Sequence, residues 1–386
     1  RAEQATAQAE APSLGRRLQP RPPPPEPSLA PELAAPQPPG RQAAMAGEAA
    51  APEAWEIILF YKYADLSEGG AKDEVKAALE GAFAEAAKPL CGRILLAEEG
   101  VNGNLAAAAG PAMADLVAAL LRLPHLGLRR EDIKFAAAKD AEAPFPDLRI
   151  REVKSLIAGG AELDAIPIAE TSQGYLKPKD WLAAAKEKNS VMIDVRNARE
   201  VAIGHFEGAL DPKTRHFSEF TRWLDRDETR QQLEGKRVLM YCTGGVRCEK
   251  ASALLRRRGV AASVEHLQGG IHRFQEALGD AEGFWKGKMF VFDRRGAMAP
   301  RDFQHGGEGE PSAGAKPDAI AGAPAAAAEA VGRCIGCGAT HDVFTPDAVC
   351  VVCREPCLVC AACRARLKGE YHCEFHEHLK GCYFAN

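Results

Sequence analysis

The sequence predicts an α/β protein: a parallel-sheet domain, preceded by a smaller α+β domain and followed by a compact zinc-binding module. Three observations carry this prediction. Between residues 171 and 285, short apolar stretches alternate with amphipathic helical ones, the pattern of parallel strands joined by helical crossovers. Residues 55–140 read β-α-β-β-α-β. Nine of the twelve cysteines lie behind position 333, mostly in pairs separated by two residues.

The totals narrow the function classes. A chain of 386 residues has room for two or three domains. A formal net charge of −4 excludes a global polycation. Local clusters such as Arg256–Arg258 and Lys286, Lys288, Arg294 and Arg295 can reach phosphates, although such clusters are commonly solvated faces. No apolar run reaches the ~20 residues that span a bilayer, so a soluble protein is expected, with no membrane partner. The cysteine distribution suits metal binding in a reducing compartment rather than a secreted disulfide framework, which points to the cytoplasm without excluding an organelle.

Residues 1–54 are rich in Pro, Ala and Gln, lack apolar periodicity, and are expected to be disordered. Met45 is a candidate initiator. The segment holds few Ser and keeps acidic residues, which argues against a transit peptide.

In the first domain, 55–140, Glu56–Tyr63 reads as a strand and Ala71–Lys88 as a helix with Val75, Leu79 and Phe83 on one face. Gly92–Leu96 is a second strand. A tight turn is expected at Glu99–Gly103, then an extended Asn104–Ala107, a helix Met113–Leu123 and a closing strand Asp132–Phe135. This order is that of a ferredoxin-like (acylphosphatase-like) fold. Residues 141–170, with Pro144, Pro146, Pro167 and the apolar-basic run Leu148–Leu156, read as a connector.

The second domain, 171–285, is organised around Val238–Lys250. Four apolar or aromatic residues form a short strand, Cys242 follows at once, and Thr243, Gly244, Gly245 and Val246 make a loop that opens a helix. A cysteine between a strand end and a helix start faces unpaired N–H groups and the positive end of the helix dipole. That favours a thiolate, and Arg247 adds a cation. Cys242 is therefore the candidate nucleophile, and the alternative is a buried structural cysteine in a tight turn. The Cys-x4-Arg spacing is one residue shorter than the phosphate cradle of tyrosine phosphatases and suits a single sulfur atom. It resembles the six-residue loop of rhodaneses, and Asp194–Glu200 with Gly204–Ala209 matches the first rhodanese signature. A helix from Pro178 to about Lys188, a helical stretch 217–233 and a strand Val264–Leu267 complete the pattern.

Residues 286–330 comprise an extended segment, Gly287–Asp293, and a Gly/Ala/Pro/Glu-rich linker. In 331–386, Cys334 with Cys337, Cys350 with Cys353, Cys360 with Cys363, and Cys373 with His376 form four pairs. Four pairs make two closed tetrahedral sites, expected to hold structural zinc. Spacing leaves open whether the pairs share ions sequentially or interleaved; Cys357, Cys382, His372 and His378 are spare candidates.

The segments FYKY (60–63), EGVNGNL (99–105), DVRNAREVAIGHFEGA (194–209), YCTGGVRCEKAS (241–252), HLQGGI (266–271) and GKMFVFDRRGAM (287–298) together resemble the tRNA uridine hydroxylase family. The resemblance covers residues 55 to about 300, with a Cys-rich tail like that of some members. It implies oxygen-dependent hydroxylation of carbon 5 of the wobble uridine, with the anticodon region of tRNA as partner and molecular oxygen as co-substrate. It makes Cys242 the essential cysteine and places Asp194 and Arg199 near the loop. Two further readings stand beside it. One is a thiosulfate-type sulfurtransferase carrying a persulfide on Cys242, with Cys248 either a resolving thiol or a core residue. The other is a non-catalytic RNA- or protein-binding adaptor, against which the intact Cys242 and Arg247 argue.

Overall fold

The computed structural model describes residues 54–138, 142–303 and 330–380. The Pro/Ala-rich residues 1–53, the linker residues 304–329 and Cys382 lie outside the described residues.

The first domain runs β1 (Trp55–Tyr63), α1 (Ala71–Glu85), β2 (Leu90–Ala97), β3 (Gly100–Ala108), α2 (Pro111–Leu121), β4 (Lys134–Ala138) and β5 (Leu148–Glu152). Its sheet has the order β4-β1-β3-β2-β5, antiparallel except for β5 beside β2. This is the ferredoxin-like arrangement with one strand added. Side chains alternate across a strand, so on β1 Ile58 and Phe60 enter the core beneath α1 and α2, while Ile57, Leu59 and Tyr61 face the other way.

Besides shifts of α2 to Pro111–Leu121 and of the closing strand to Lys134–Ala138, three details depart from the sequence reading. First, α1 stops at Glu85, short of Lys88: a residue preceding proline is pushed out of the helical region, and Pro89 follows. Second, the hairpin turns at Glu98–Glu99, so Gly100–Gly103 lie within β3 rather than in the turn. The glycines serve close approach. A Cβ on Gly100 would stand 2.0 Å from the Lys62 carbonyl oxygen, and one on Gly103 2.4 Å from the Phe60 ring. Third, part of the presumed connector is β5. Leu148 and Ile150 pack on the first core, while Arg149 and Arg151 alternate with them.

The chain continues through α3 (Ala161–Asp164) and β6 (Tyr175–Leu176) to α4 (Pro178–Ala185), β7 (Ser190–Asp194), α5 (Ala198–Val201) and β8 (Gly204–Phe206). Then come α6 (Phe220–Leu224), α7 (Asp227–Leu233), β9 (Arg237–Tyr241), α8 (Val246–Arg258), β10 (Ser263–Leu267) and α9 (Gly270–Leu278). Strands β6-β10-β9-β7 form one parallel sheet. It is covered on both faces, which is why its strands read as continuous apolar runs. Val238 and Met240 join the core under α6, α7 and α8, whereas Leu239 and Tyr241 join the one under α4 and α9. The stretch 217–233 is broken at Asp225–Arg226 into a 3₁₀ turn and the helices α6 and α7.

Beyond α9, β11 (Trp285–Gly287) pairs with β8, and β12 (Met289–Phe290) with β13 (Ala297–Met298). The cysteine-rich end holds β14 (Phe344–Val349), β15 (Pro356–Leu358) and α10 (Ala361–Leu367).

The first domain is bound to α8. Glu249, fully buried, accepts hydrogen bonds from the Tyr61 hydroxyl at 2.8 Å, from the Tyr175 hydroxyl and from the Ser172 N–H. Lys250, equally buried, pairs with Glu99, whose other oxygen accepts the Leu156 N–H at 2.7 Å. The Tyr63 hydroxyl donates to the Val246 carbonyl at 3.3 Å.

Gly103→Ala is expected to destabilise the protein by about 1–3 kcal/mol through overpacking against Phe60. A urea-unfolding midpoint that recovers in the Gly103→Ala/Phe60→Leu double variant would identify the clash as the cause, and an unshifted midpoint in the single variant would refute it.

Candidate active site and candidate metal centres

Cys242 sits where β9 ends, and α8 begins at Val246 after a loop of three residues. Gly245 has φ +107°, a left-handed conformation that costs glycine nothing. This curl aims the Gly245 N–H at the Cys242 sulfur, 3.1 Å away. The loop is anchored from behind by α9: the Ile271 N–H donates to the Cys242 carbonyl at 2.9 Å and the His272 N–H to the Thr243 carbonyl at 3.1 Å.

Arg247, 9% exposed, makes two hydrogen bonds to Glu200, at 2.7 and 2.8 Å. Its Nη2 also donates to Thr243 Oγ1 at 3.2 Å, and that hydroxyl donates to Glu200 at 3.1 Å. Burial would raise the Glu200 carboxyl, but the Arg247 charge and hydrogen bonds outweigh it and bring it down to about 2.

For Cys242 the largest influence is likewise burial, which pushes the thiol up. A hydrogen bond from the Cys248 thiol, the Arg247 charge and the N–H groups of Cys248 and Gly245 reverse this and lower it to about 5. The partner thiol of Cys248 is pushed well above its usual range, first by burial and then by Cys242. Cys248 lies in the core between α8 and the sheet, against Cys242.

The residues singled out from sequence divide. Cys242, Thr243, Gly244, Gly245, Val246 and Arg247 come together as one loop. Asp194 directs its carboxylate to Arg196 at 2.6 and 2.9 Å, both fully buried, and Arg196 also reaches the Gly204 carbonyl at 2.6 Å. Arg199 points away from the loop, to an ion pair with Glu355 and to the Phe290 ring at 5.8 Å. The residue beside it, Glu200, is the one that holds the loop, and the sequence reading passed over it. The available signal was an acid on a short turn hemmed in by Val201 and Ile203.

Cys242, itself fully buried, lines a cleft of about 490 Å³ between the domains. One wall is the exposed face of the first sheet, with Leu59, Tyr61, Asn102 and Asn104; Arg93 and Arg151 stand at its edge. The opposite wall comes from the segment after α9, including Met289, Phe292 and Arg295. Phe292 is 54% exposed, and the Asn104 side-chain oxygen is buried without a partner.

At the C-terminal end, two groups of four donors assemble. Cys334, Cys337, Cys360 and Cys363 form one, and Cys350, Cys353, Cys373 and His376 the other, with the donor atoms of each group within 4.8 Å of one another. The pairing is interleaved, first with third and second with fourth. A tetrahedral ion with metal–sulfur bonds of about 2.3 Å requires sulfur atoms about 3.8 Å apart. Cys337 and Cys360 are 3.7 Å apart, as are Cys353 and Cys373, and Cys350 Sγ lies 3.6 Å from His376 Nδ1. Each group could therefore hold a metal ion. Cys357 stands outside both, its thiol donating to the Glu355 carbonyl at 3.6 Å; His372 and His378 are also outside the groups.

An acid titration of thiolate absorbance, taken as the difference between wild type and Cys242→Ser, is expected to show a midpoint near pH 5. In Arg247→Met the midpoint should rise by at least one unit, since a neighbouring cation is lost. A wild-type midpoint between 8 and 9, that of an ordinary thiol, would contradict the geometry.

Three known domain families match successive segments of the chain. Residues 55–156 match the UPF0176 acylphosphatase-like domain, 178–277 the rhodanese-like domain and 286–376 the rhodanese C-terminal region. Proteins named tRNA uridine(34) hydroxylase from Brucella ovis and Brucella canis are each 41% identical over 208 residues, which span 54% of this chain and 65% of theirs. A solved structure from Rhodopseudomonas palustris, titled a protein of unknown function and possible tyrosine phosphatase, aligns with 27% of this chain and 80% of its own at 26% identity and a TM-score of 0.24. The chain thus combines an acylphosphatase-like domain, a rhodanese-like domain and a rhodanese C-terminal region, and over 54% of its length it is similar to proteins named tRNA uridine(34) hydroxylase.

Proposed function

We propose that the protein hydroxylates carbon 5 of a uridine in the anticodon region of tRNA, with Cys242 as nucleophile. The observation that carries this reading is the position of Cys242: a depressed thiol at the floor of a cleft roofed by a sheet face. The cleft walls carry what an unstacked base needs, namely amide groups on Asn102 and Asn104 and an exposed ring on Phe292. Arg151, whose guanidinium has no hydrogen bond or ion pair among the described residues, suits a flanking phosphate, while Arg93 is held by Asp147. The names of the relatives supply the substrate and the position. Attack of the Cys242 thiolate on carbon 6 makes carbon 5 electron-rich. With molecular oxygen as oxidant, one atom goes to carbon 5 and the other to water, with two electrons and two protons drawn from an external thiol reductant. The carbon–sulfur bond then breaks, carbon 5 loses its proton, and the thiolate returns. The uridine must first leave its stack, at a cost of a few kcal/mol.

Sulfur transfer is the second reading, favoured by one observation: the loop encloses a single sulfur atom, with a backbone N–H 3.1 Å from it. The same N–H groups would hold a persulfide.

The donor sets at the C-terminal end, thiolate-rich and tetrahedral, suit zinc. Bound there, zinc supplies folding free energy on the order of 10 kcal/mol per site. Its role is structural, since all four positions of each site are filled by the protein. A cytoplasmic location fits both the thiol chemistry and a tRNA substrate.

Nucleoside mass spectrometry of tRNA incubated with the protein, with and without oxygen, tests the main reading. Uridine is expected to gain one oxygen only when oxygen and Cys242 are both present, and Cys242→Ser should lose the product entirely. Thiosulfate turnover without any modified uridine would transfer the assignment to sulfur transfer. On the metal, a mercurial thiol reagent is expected to release two equivalents of zinc per chain from wild type and one from a Cys350→Ser/Cys353→Ser variant. Release of less than one equivalent from wild type would remove zinc from the account.

A further inference from the structure

A buried ammonium without a partner is costly, because burial strips its water and no acceptor replaces it. Where this protein buries lysine for structure it supplies an acid, as Glu99 does for Lys250. Lys134, the first residue of β4, is treated differently. It is 3% exposed, and its Nζ lies over the Tyr61 ring, 5.0 Å from the centroid. Its ammonium has no hydrogen bond or ion pair among the described residues. Burial first, and then the Arg273 charge, bring the Lys134 ammonium down to about 8.

Lys134 lines a second cavity, of about 660 Å³, which shares Tyr61 with the Cys242 cleft. The acids around this cavity are already engaged. Asp132 holds Lys62 at 3.1 Å, Glu131 holds Arg129 at 2.6 Å and Glu276 holds Arg273 at 2.6 Å. Glu249 accepts from Tyr61, Tyr175 and Ser172. The charge left without an acid is Lys134 within and Lys177, exposed and likewise without an ion pair among the described residues, at the mouth.

We propose that this cavity is an oxyanion site that takes a phosphate group, with Lys134 as its inner ligand and Lys177 as its outer one. An ammonium offers three donors to such a group without demanding a planar fork. The phosphate has two possible sources, the tRNA backbone or a free phosphorylated metabolite. The site stands whether or not the hydroxylase reading does, because neither lysine belongs to the Cys242 loop.

The test is thermal unfolding of the full chain in inorganic phosphate against chloride of matched ionic strength. Saturating phosphate is expected to raise the wild-type Tm by about 2–4 °C. Lys134→Met, which removes an unpaired buried charge, should fold at least as well without phosphate and show no rise. Lys177→Glu, at an exposed position that cannot unfold the chain, should weaken phosphate at least tenfold. No rise over chloride in wild type, or the same rise in both variants, would overturn the proposal. A tRNA-binding arm separates the sources. If the phosphate belongs to the backbone, Lys134→Met loses tRNA affinity and inorganic phosphate competes with tRNA. If it belongs to a small molecule, tRNA affinity is unchanged while the phosphate-induced rise remains specific to wild type.

Discussion

The structure depends on one turn of helix whose polar residues are buried on all sides. Arg247, Cys248, Glu249 and Lys250 follow one another at the start of α8, and each meets a different element. Arg247 reaches Glu200 on α5, Cys248 the sulfur of Cys242, Glu249 two tyrosines and a backbone N–H, and Lys250 Glu99 beside the first-domain hairpin. Burying an ion pair gains little over burying apolar residues of the same size, but losing one partner leaves a charge stranded, at about 3–5 kcal/mol. Such contacts contribute specificity more than net stability. They admit one orientation of α8, hence one shape of the loop before it and one seat for the first domain.

The candidate site is therefore composite. Gly244 and Gly245 let the loop curl, yet their neighbours belong to the other domain. A Cβ on Gly244 would stand 2.9 Å from the Leu59 side chain, and one on Gly245 2.7 Å from the Tyr61 hydroxyl. The first domain presses on the loop at its two glycines, and the cleft above Cys242 exists only because both domains bound it. With the sheet in place, Cys242 lines a chamber of about 490 Å³.

What was legible in the sequence and what was not divide along a physical line. Strands buried on both faces announce themselves as apolar runs, so the parallel sheet around Val238–Tyr241 could be read directly. The loop could be read because a cysteine between a strand and a helix start, with glycines and an arginine, leaves few alternatives. Partners distant in the chain could not. Glu200 and Arg247 are 47 residues apart, and Glu99 and Lys250 are 151 apart. Each looks like an ordinary surface charge until the fold brings its partner. Gly100 and Gly103 misled for a related reason: glycine marks a turn and a close approach equally well, and only the ring of Phe60 and the carbonyl of Lys62 decide between them. The candidate metal donors were readable as pairs because each pair is local, whereas their interleaving is a long-range property that spacing does not encode.

That interleaving bears on the site as well. Because the first pair closes with the third and the second with the fourth, neither group can form from one half of the module alone. Glu355 lies between the second and third pairs, and it is the residue that Arg199 reaches from α5. The next residue of that helix is Glu200, beneath the Cys242 loop. Lys288 adds a second tie, to Asp342 at 3.0 Å, on the strip leading into the cleft wall. A helix of four residues thus carries the module on one side chain and the loop arginine on the next. The module's contact reaches the candidate site by the shortest route the backbone allows, one peptide bond.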